Sequence, residues 1–171
     1  MKLVLNEDSV ECLNSKRASF LNFLRDNYNV GLSFSQDRKN RQLDRREQIA
    51  SIKGTIECVQ DALLLIIKKI THYIRATFDG RDSYNLKMLI NKAYVTKLIG
   101  AGGCMIQEIA SFAGGASIKI LSSRLDEKKS DSHDIIVCIA GSTGAIQDAS
   151  CIIIEQIECF KKGGPVRIPL Y

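Results

Sequence analysis

Four residues, Gly100-Ala101-Gly102-Gly103, interrupt two apolar stretches of helical spacing at 95–99 and 104–109. Glycine costs a helix interior about 1 kcal/mol relative to alanine, so three glycines in four positions call for a use outside helix formation. Without side chains, the main chain can approach another backbone closely. The amides that open the following helix, together with its dipole, favour an anion such as a phosphate. Val95, Thr96, Lys97, Ile99, Gly100, Ala101, Gly102, Gly103 and Ile106 are the candidate residues around such a site.

Competing chemistries fit less well. The sixth position of a dinucleotide fingerprint starting at Gly100 would be Met105, and the sequence has no Gly-x-x-x-x-Gly-Lys loop. Six cysteines (Cys12, Cys58, Cys104, Cys138, Cys151 and Cys159) lie far apart with no Cys-x-x-Cys pair, and the two histidines are His72 and His133. That pattern fits buried free thiols rather than zinc ligands. No nucleophile or paired carboxylate accompanies either histidine, so catalysis is the weakest reading and no metal or cofactor is expected.

The elements that must position the loop read most clearly in the second half. Residues 86–91 suit a strand, 93–99 a short helix and 104–112 a second helix with Met105, Ile106 and Ile109 on one side. Gly114-Gly115 stops that helix. Residues 116–121 alternate as a strand, with Ile118 and Ile120 facing one way and Ser117 and Lys119 the other. A polar loop at 122–134, a strand at 135–140, a turn at Gly141-Ser142 and a long amphipathic helix at 143–160 complete the order βααββα.

The same order recurs upstream. Lys2 to Asn6 matches Lys87 to Asn91 in type, Val10 to Leu13 matches Val95 to Leu98, and Val59-Gln60-Asp61-Ala62 matches Ile146-Gln147-Asp148-Ala149. The reading is a tandem duplication. First-half elements are expected at 2–6, 10–13, 19–26, 30–34, 49–53 and 56–70, with a charged loop at 35–47 and a linker or helix end at 75–84. The tail, 161–171, holds Gly163-Gly164-Pro165 and cannot extend the last helix.

The ordered set Leu98-Ile99-Gly100-Ala101-Gly102-Gly103, Ile106, Ile109, Gly115-Ala116-Ser117-Ile118-Lys119-Ile120 and Ile136-Val137-Cys138-Ile139-Ala140-Gly141, with Ala149 beyond, resembles a type I KH (hnRNP K homology) domain across 85–160. Residues 1–74 resemble it more weakly, as a degenerate copy. The resemblance implies an α+β protein of two tandem βααββα domains, each a three-stranded antiparallel sheet with three helices packed on one face. It also implies a Gly-x-x-Gly loop that clamps about four nucleotides of single-stranded RNA, with single-stranded DNA as the variant partner. Ser117, Ile118, Lys119 and Ile136 would then form the opposite, base-reading wall. Ala101 stands where such loops commonly carry a lysine or arginine, with Lys97 one turn earlier as the substitute.

In the first half the corresponding loop, Asn14-Ser15-Lys16-Arg17-Ala18, has no glycine. Lys16, Arg17, Arg38, Lys39 and Arg41 are possible accessory phosphate contacts there, and a protein partner is the alternative use of that domain. Leu89, Leu98, Ile109, Ile139, Ala149, Ile153 and Ile157 should be core.

Composition sets the remaining bounds. The chain has 171 residues, 45% hydrophobic and 25% charged, with a net charge of +5, a globular balance that tolerates an anionic partner. Its longest apolar run, 62–67, stops at Lys68-Lys69, well below the roughly 20 residues that span a bilayer. Residues 1–6 lack the features of a signal peptide. The expectation is an intracellular protein of nucleus or cytoplasm with no membrane partner, acting in messenger RNA processing, stability or translation. A protein-interaction scaffold is the competing function. The opening directly in a strand is what an excised part of a longer protein would show.

Overall fold

Polar residues with short side chains start three of the described helices. Asn6 accepts a hydrogen bond from the Ser9 amide at 3.0 Å, Asn91 from the Ala93 amide at 3.0 Å and Ser142 from the Ala145 amide at 3.2 Å, each occupying a donor that the helix itself cannot use. The computed structural model describes residues 1–36, 43–77, 84–121 and 134–164, with 16–18 as backbone alone. In chain order the elements are β1 (Lys2–Asn6), α1 (Glu7–Tyr28), β2 (Gly31–Ser35), β3 (Glu47–Lys53), α2 (Ile56–Thr77), β4 (Tyr84–Asn91), α3 (Lys92–Ile99), a 3-10 turn (Ala101–Gly103), α4 (Cys104–Phe112), β5 (Ser117–Leu121), β6 (Asp134–Gly141) and α5 (Thr143–Lys161).

The second half follows the expected order. The first half does not: the helix, loop and helix expected at 10–26 are one unbroken helix, α1. Asn-Ser-Lys-Arg-Ala contains neither glycine nor proline, and every residue in it tolerates helical geometry. Without the glycines that bend the second half, the backbone ladder runs straight through. The helix ends at Asn29, in the left-handed conformation at φ 49°, which asparagine tolerates better than most residues. The first half is therefore βαββα, with two helices in place of three. Its last helix also continues to Thr77, so 75–77 are helical rather than linker.

All six described strands join one antiparallel sheet in the order β2-β3-β1-β4-β6-β5, where two separate three-stranded sheets were expected. The seam is the β1–β4 pair, with Lys2 opposite Leu89, Leu3 opposite Met88 and Val4 opposite Lys87. Leu89 is the counterpart of Val4 and Lys87 the counterpart of Lys2, so the register is its own mirror about Leu3 and Met88. The ion pairs across the seam are reciprocal too. Lys2 meets Asp134 at 2.8 Å, and Lys87 meets Glu47 at 2.5 Å. On the helical side, the Gln60 side-chain amide donates to the Cys151 carbonyl at 3.4 Å and to Glu155 at 2.9 Å. Its counterpart Gln147 donates to the Leu64 carbonyl at 3.2 Å. An interface in which each side offers the same patch is the arrangement of a two-fold dimer; here both sides belong to one chain.

One hydrophobic core lies under the helices and crosses the seam, including Leu3, Leu13, Leu24, Ile52, Leu63, Ile66, Leu86, Met88, Ile109 and Ile139. Burying each such side chain is worth about 1.5–3 kcal/mol. Leu98, Ala149 and Ile153 join this core as expected, and Ile157 packs against it half-buried. Leu89 is buried on the other face of the sheet instead, in a small cluster with Val4, Ile49 and Ile136 against which Leu43 and Cys138 pack. No helix among the described residues is long and apolar enough to cross a membrane.

Candidate nucleic-acid interface

The glycines of the second half have distinct tasks. Gly100 ends α3, its amide donating to the Thr96 carbonyl at 3.4 Å, and holds φ 71°, ψ −179°. A Cβ there would lie 2.9 Å from Met105 Cβ and 3.1 Å from the Met105 amide nitrogen, so this glycine is fixed by the fold itself. Gly102 (φ 60°) and Gly103 (φ 82°) also require positive φ, yet a Cβ at either would meet nothing within 4 Å. Their outer side is open to a ligand's approach.

Gly103 is the N-cap of α4, and no side chain caps this helix; its first turn holds no acidic residue. That separates α4 from α1, α3 and α5, whose starts are occupied by Asn6, Asn91 and Ser142. The Gly103 amide donates to the Gly100 carbonyl at 3.3 Å and the Cys104 amide to the Ala101 carbonyl, so an anion at the positive end of α4 is favoured chiefly by the helix dipole. Ala101 and Cys104 beside it are exposed, and Ile99 and Ile106 are half-buried on either side of the loop.

Across from α4, β5 forms the sheet edge among the described strands. Its pairing with β6 sets which side chains face the helices: Ile118 lies opposite Ile139 and Ile120 opposite Val137, and all four belong to the helical-side packing. Ser117, Lys119 and Leu121 share the other face with Ala140, Cys138 and Ile136. Ile99 and Ile118 therefore pack against the same helical-side core, Ile106 is half-buried on α4, and Ser117 and Lys119 are exposed on β5.

Two candidates are corrected. Ile136 is 1% exposed and points away from the helices, so it is no part of a groove floor. The period-two parity that turns Ile118 inward turns Ile136 outward. Val95, 2% exposed, is core that holds α3 to the sheet. Lys97 is exposed as expected, but its ammonium stands 5.5 Å over the Phe160 ring at the end of α5. Phe160, and Met105 as the wall behind Gly100, are the residues that sequence reasoning missed. An aromatic in the last turn of α5 was the signal for the first. Arg38, Lys39, Arg41 and the side chains of Lys16 and Arg17 lie outside the described residues. Among the described residues, no group of three histidine, cysteine, aspartate or glutamate side chains could hold a metal ion.

Comparison with known proteins finds a match for this part of the chain. Residues 85–155 match the family model of the KH domain. No curated protein matches the chain. Among solved structures, Dim2p from Pyrococcus horikoshii OT3 is similar at 14% identity over 91% of this chain and 89% of that one, with a TM-score of 0.31. A chain of the a/eIF2alpha-aDim2p-rRNA complex from the same organism is similar at 16% identity over 96% and 87%, with a TM-score of 0.33. Neither likeness is close enough to carry weight beside the family match. The bent glycine loop and the edge strand β5 both lie within the residues, 85–155, that match the KH domain.

Proposed function

We propose that the second half binds single-stranded RNA, about four nucleotides at a time, in the groove between the Gly100–Gly103 loop and β5. The observation that carries this reading is the uncapped, acid-free start of α4 behind two glycines with open space around them. Phosphates would sit at the positive end of α4, and bases would lie on Ile99, Ile106 and Ile118 and be read along the edge of β5. Single-stranded DNA would fit the same backbone clamp. The role in messenger RNA processing, stability or translation, in nucleus or cytoplasm, rests on the KH resemblance.

The first half is, on this reading, a diverged KH copy. The reciprocal seam supports it: cap Asn6 answers Asn91, and Gln60 answers Gln147. With α1 unbroken it has no glycine clamp, so one RNA binds per chain. The test is a titration of a randomised eight-nucleotide RNA pool at several salt concentrations. Three or four phosphate contacts predict a slope of log K against log salt of about −2 to −3, at roughly −0.7 per phosphate. A scaffold without a nucleic-acid site would show no saturable binding.

A further inference from the structure

We infer that the segment 165–171 folds back into a cavity at the seam between the halves, where the ring of Tyr171 takes the place that Tyr84 takes at the counterpart position. This inference goes beyond RNA binding by the second half and does not depend on it.

Among the described residues, a cavity of about 490 Å³ opens between the start of β1, the end of β3 and the last turns of α5. Ile52, Gly54 and Val59 of the first half line it together with Met88, Ile154 and Ile157 of the second. Its size lies within the range of ligand-binding clefts, and most of these walls are apolar. The internal repeat supplies a second copy of the same place. There β4 begins two residues before Leu86, the counterpart of Met1, and its first residue, Tyr84, pairs with Gly141. Gly141 is the counterpart of Gly54. Strand alternation turns Tyr84 to the helical side with Leu86 and Met88, where it packs half-buried against the core.

Burial differs between the two copies in the same sense. Ile67 and Ile70 are both 0% exposed, whereas their counterparts Ile154 and Ile157 are 7% exposed and half-buried. The sequence names a residue to cover them: Tyr171 follows Tyr84 at the spacing that separates Gly54 from Gly141 and Gln60 from Gln147. Tyr84 stands seven residues beyond Thr77, and Tyr171 seven beyond Gly164, the counterpart of Thr77. Seven extended residues reach up to about 23–25 Å, and the chain leaves α5 at Lys161, itself on the cavity wall. Gly163 at φ 67° and the Gly164 amide, which donates to the Cys159 carbonyl at 3.0 Å, turn the chain there. Residues 165–171 lie outside the described residues; their sequence places Val166, Ile168 and Leu170 ahead of the tyrosine. The rims differ, because Thr71 and Ile74 give way to Glu158 and Lys161, which pair with each other. That polar mouth suits a ring carrying a hydroxyl.

The test uses the full chain with isoleucine methyls and tyrosine rings labelled for NMR. Expected are nuclear Overhauser contacts from the Tyr171 ring to the methyls of Ile154 and Ile157, the ring being assigned by the loss of its signals in Tyr171→Phe. Tyr171→Ala should lower Tm by about 2–6 °C, the loss that a half-buried ring gives in a chain of this size. Tyr171→Phe keeps the ring and should recover at least half of that fall. The inference is overturned if the Tyr171 ring contacts neither isoleucine or only isoleucines elsewhere in the chain. It also falls if Tyr171→Ala leaves Tm unchanged, or if Tyr171→Phe loses as much as Tyr171→Ala.

Discussion

Replacing Gly100 by alanine should damage the fold more than the same change at Gly102. At Gly100 the backbone lies at φ 71°, ψ −179°, a region that is essentially glycine-only and costs other residues about 1–3 kcal/mol. The new methyl would also stand 2.9 Å from Met105 Cβ and 3.1 Å from the Met105 amide nitrogen. Both atoms belong to the first turn of α4 rather than to a flexible side-chain end. Overpacking of this kind adds about 1–3 kcal/mol, so a loss of about 3 kcal/mol or more is expected. At Gly102, φ 60° and ψ 16° with nothing within 4 Å leave only the left-handed penalty, about 1–2 kcal/mol. For a chain of this size each kcal/mol moves Tm by about 2–4 °C. Thermal unfolding followed by circular dichroism should therefore show Gly100→Ala falling by about 6–12 °C or more and Gly102→Ala by about 2–8 °C. Equal shifts would refute the division between a glycine held by packing and a glycine kept for a ligand.

Other expectations follow from the seam, the thiols and Lys97. Lys87→Met should destabilise by about 1–3 kcal/mol in urea unfolding, because it strands Glu47, whose side chain is only 12% exposed. Its counterpart Lys2→Met should cost under about 1 kcal/mol, since Lys2 is 52% exposed. Cys151 is pushed up to about 11 by burial first, then by Glu155, Asp148 and Asp61. Iodoacetamide at pH 8, followed by mass spectrometry of the peptides, should label exposed Cys104 well before Cys151, whose thiolate becomes abundant only as pH approaches 11. Lys97→Met should remove the cation–π contact with Phe160, worth about 0.5–1 kcal/mol. If the amine leaves the ring to meet phosphate, the same variant should also flatten the salt slope of RNA binding by about 0.7.

The second half was legible because its signals are local: alternation at 116–121, glycines at both ends of α4 and a serine cap before α5 mark their own elements. The first half was misread where it was treated as a copy of the second. Nothing in Asn14-Ser15-Lys16-Arg17-Ala18 breaks a helix, and local propensity, taken alone, predicts the continuous α1 that is observed. Ile136 failed for a different reason. Ile118 and Ile136 are both apolar in neighbouring strands, but their faces depend on the β5–β6 register, a pairing between residues distant in sequence. The single sheet was hidden for the same cause, because a self-complementary β1–β4 edge leaves no mark in either strand until the two are seen side by side. Lys97 was read as a free cation for want of Phe160, which reaches it only through the packing of α5.

The most direct test of the RNA clamp is the affinity of the randomised RNA pool for the wild type and for the double variant Ala101→Asp, Gly102→Asp, after circular dichroism shows both folded. A carboxylate about 5 Å from a phosphate costs roughly 1–3 kcal/mol at effective dielectric constants of 80 to 20. The account predicts that the wild type binds and that the variant is weakened by at least tenfold, with the loss shrinking at high salt. Equal binding by both proteins would place the nucleic-acid site elsewhere and contradict the assignment of the Gly100–Gly103 loop.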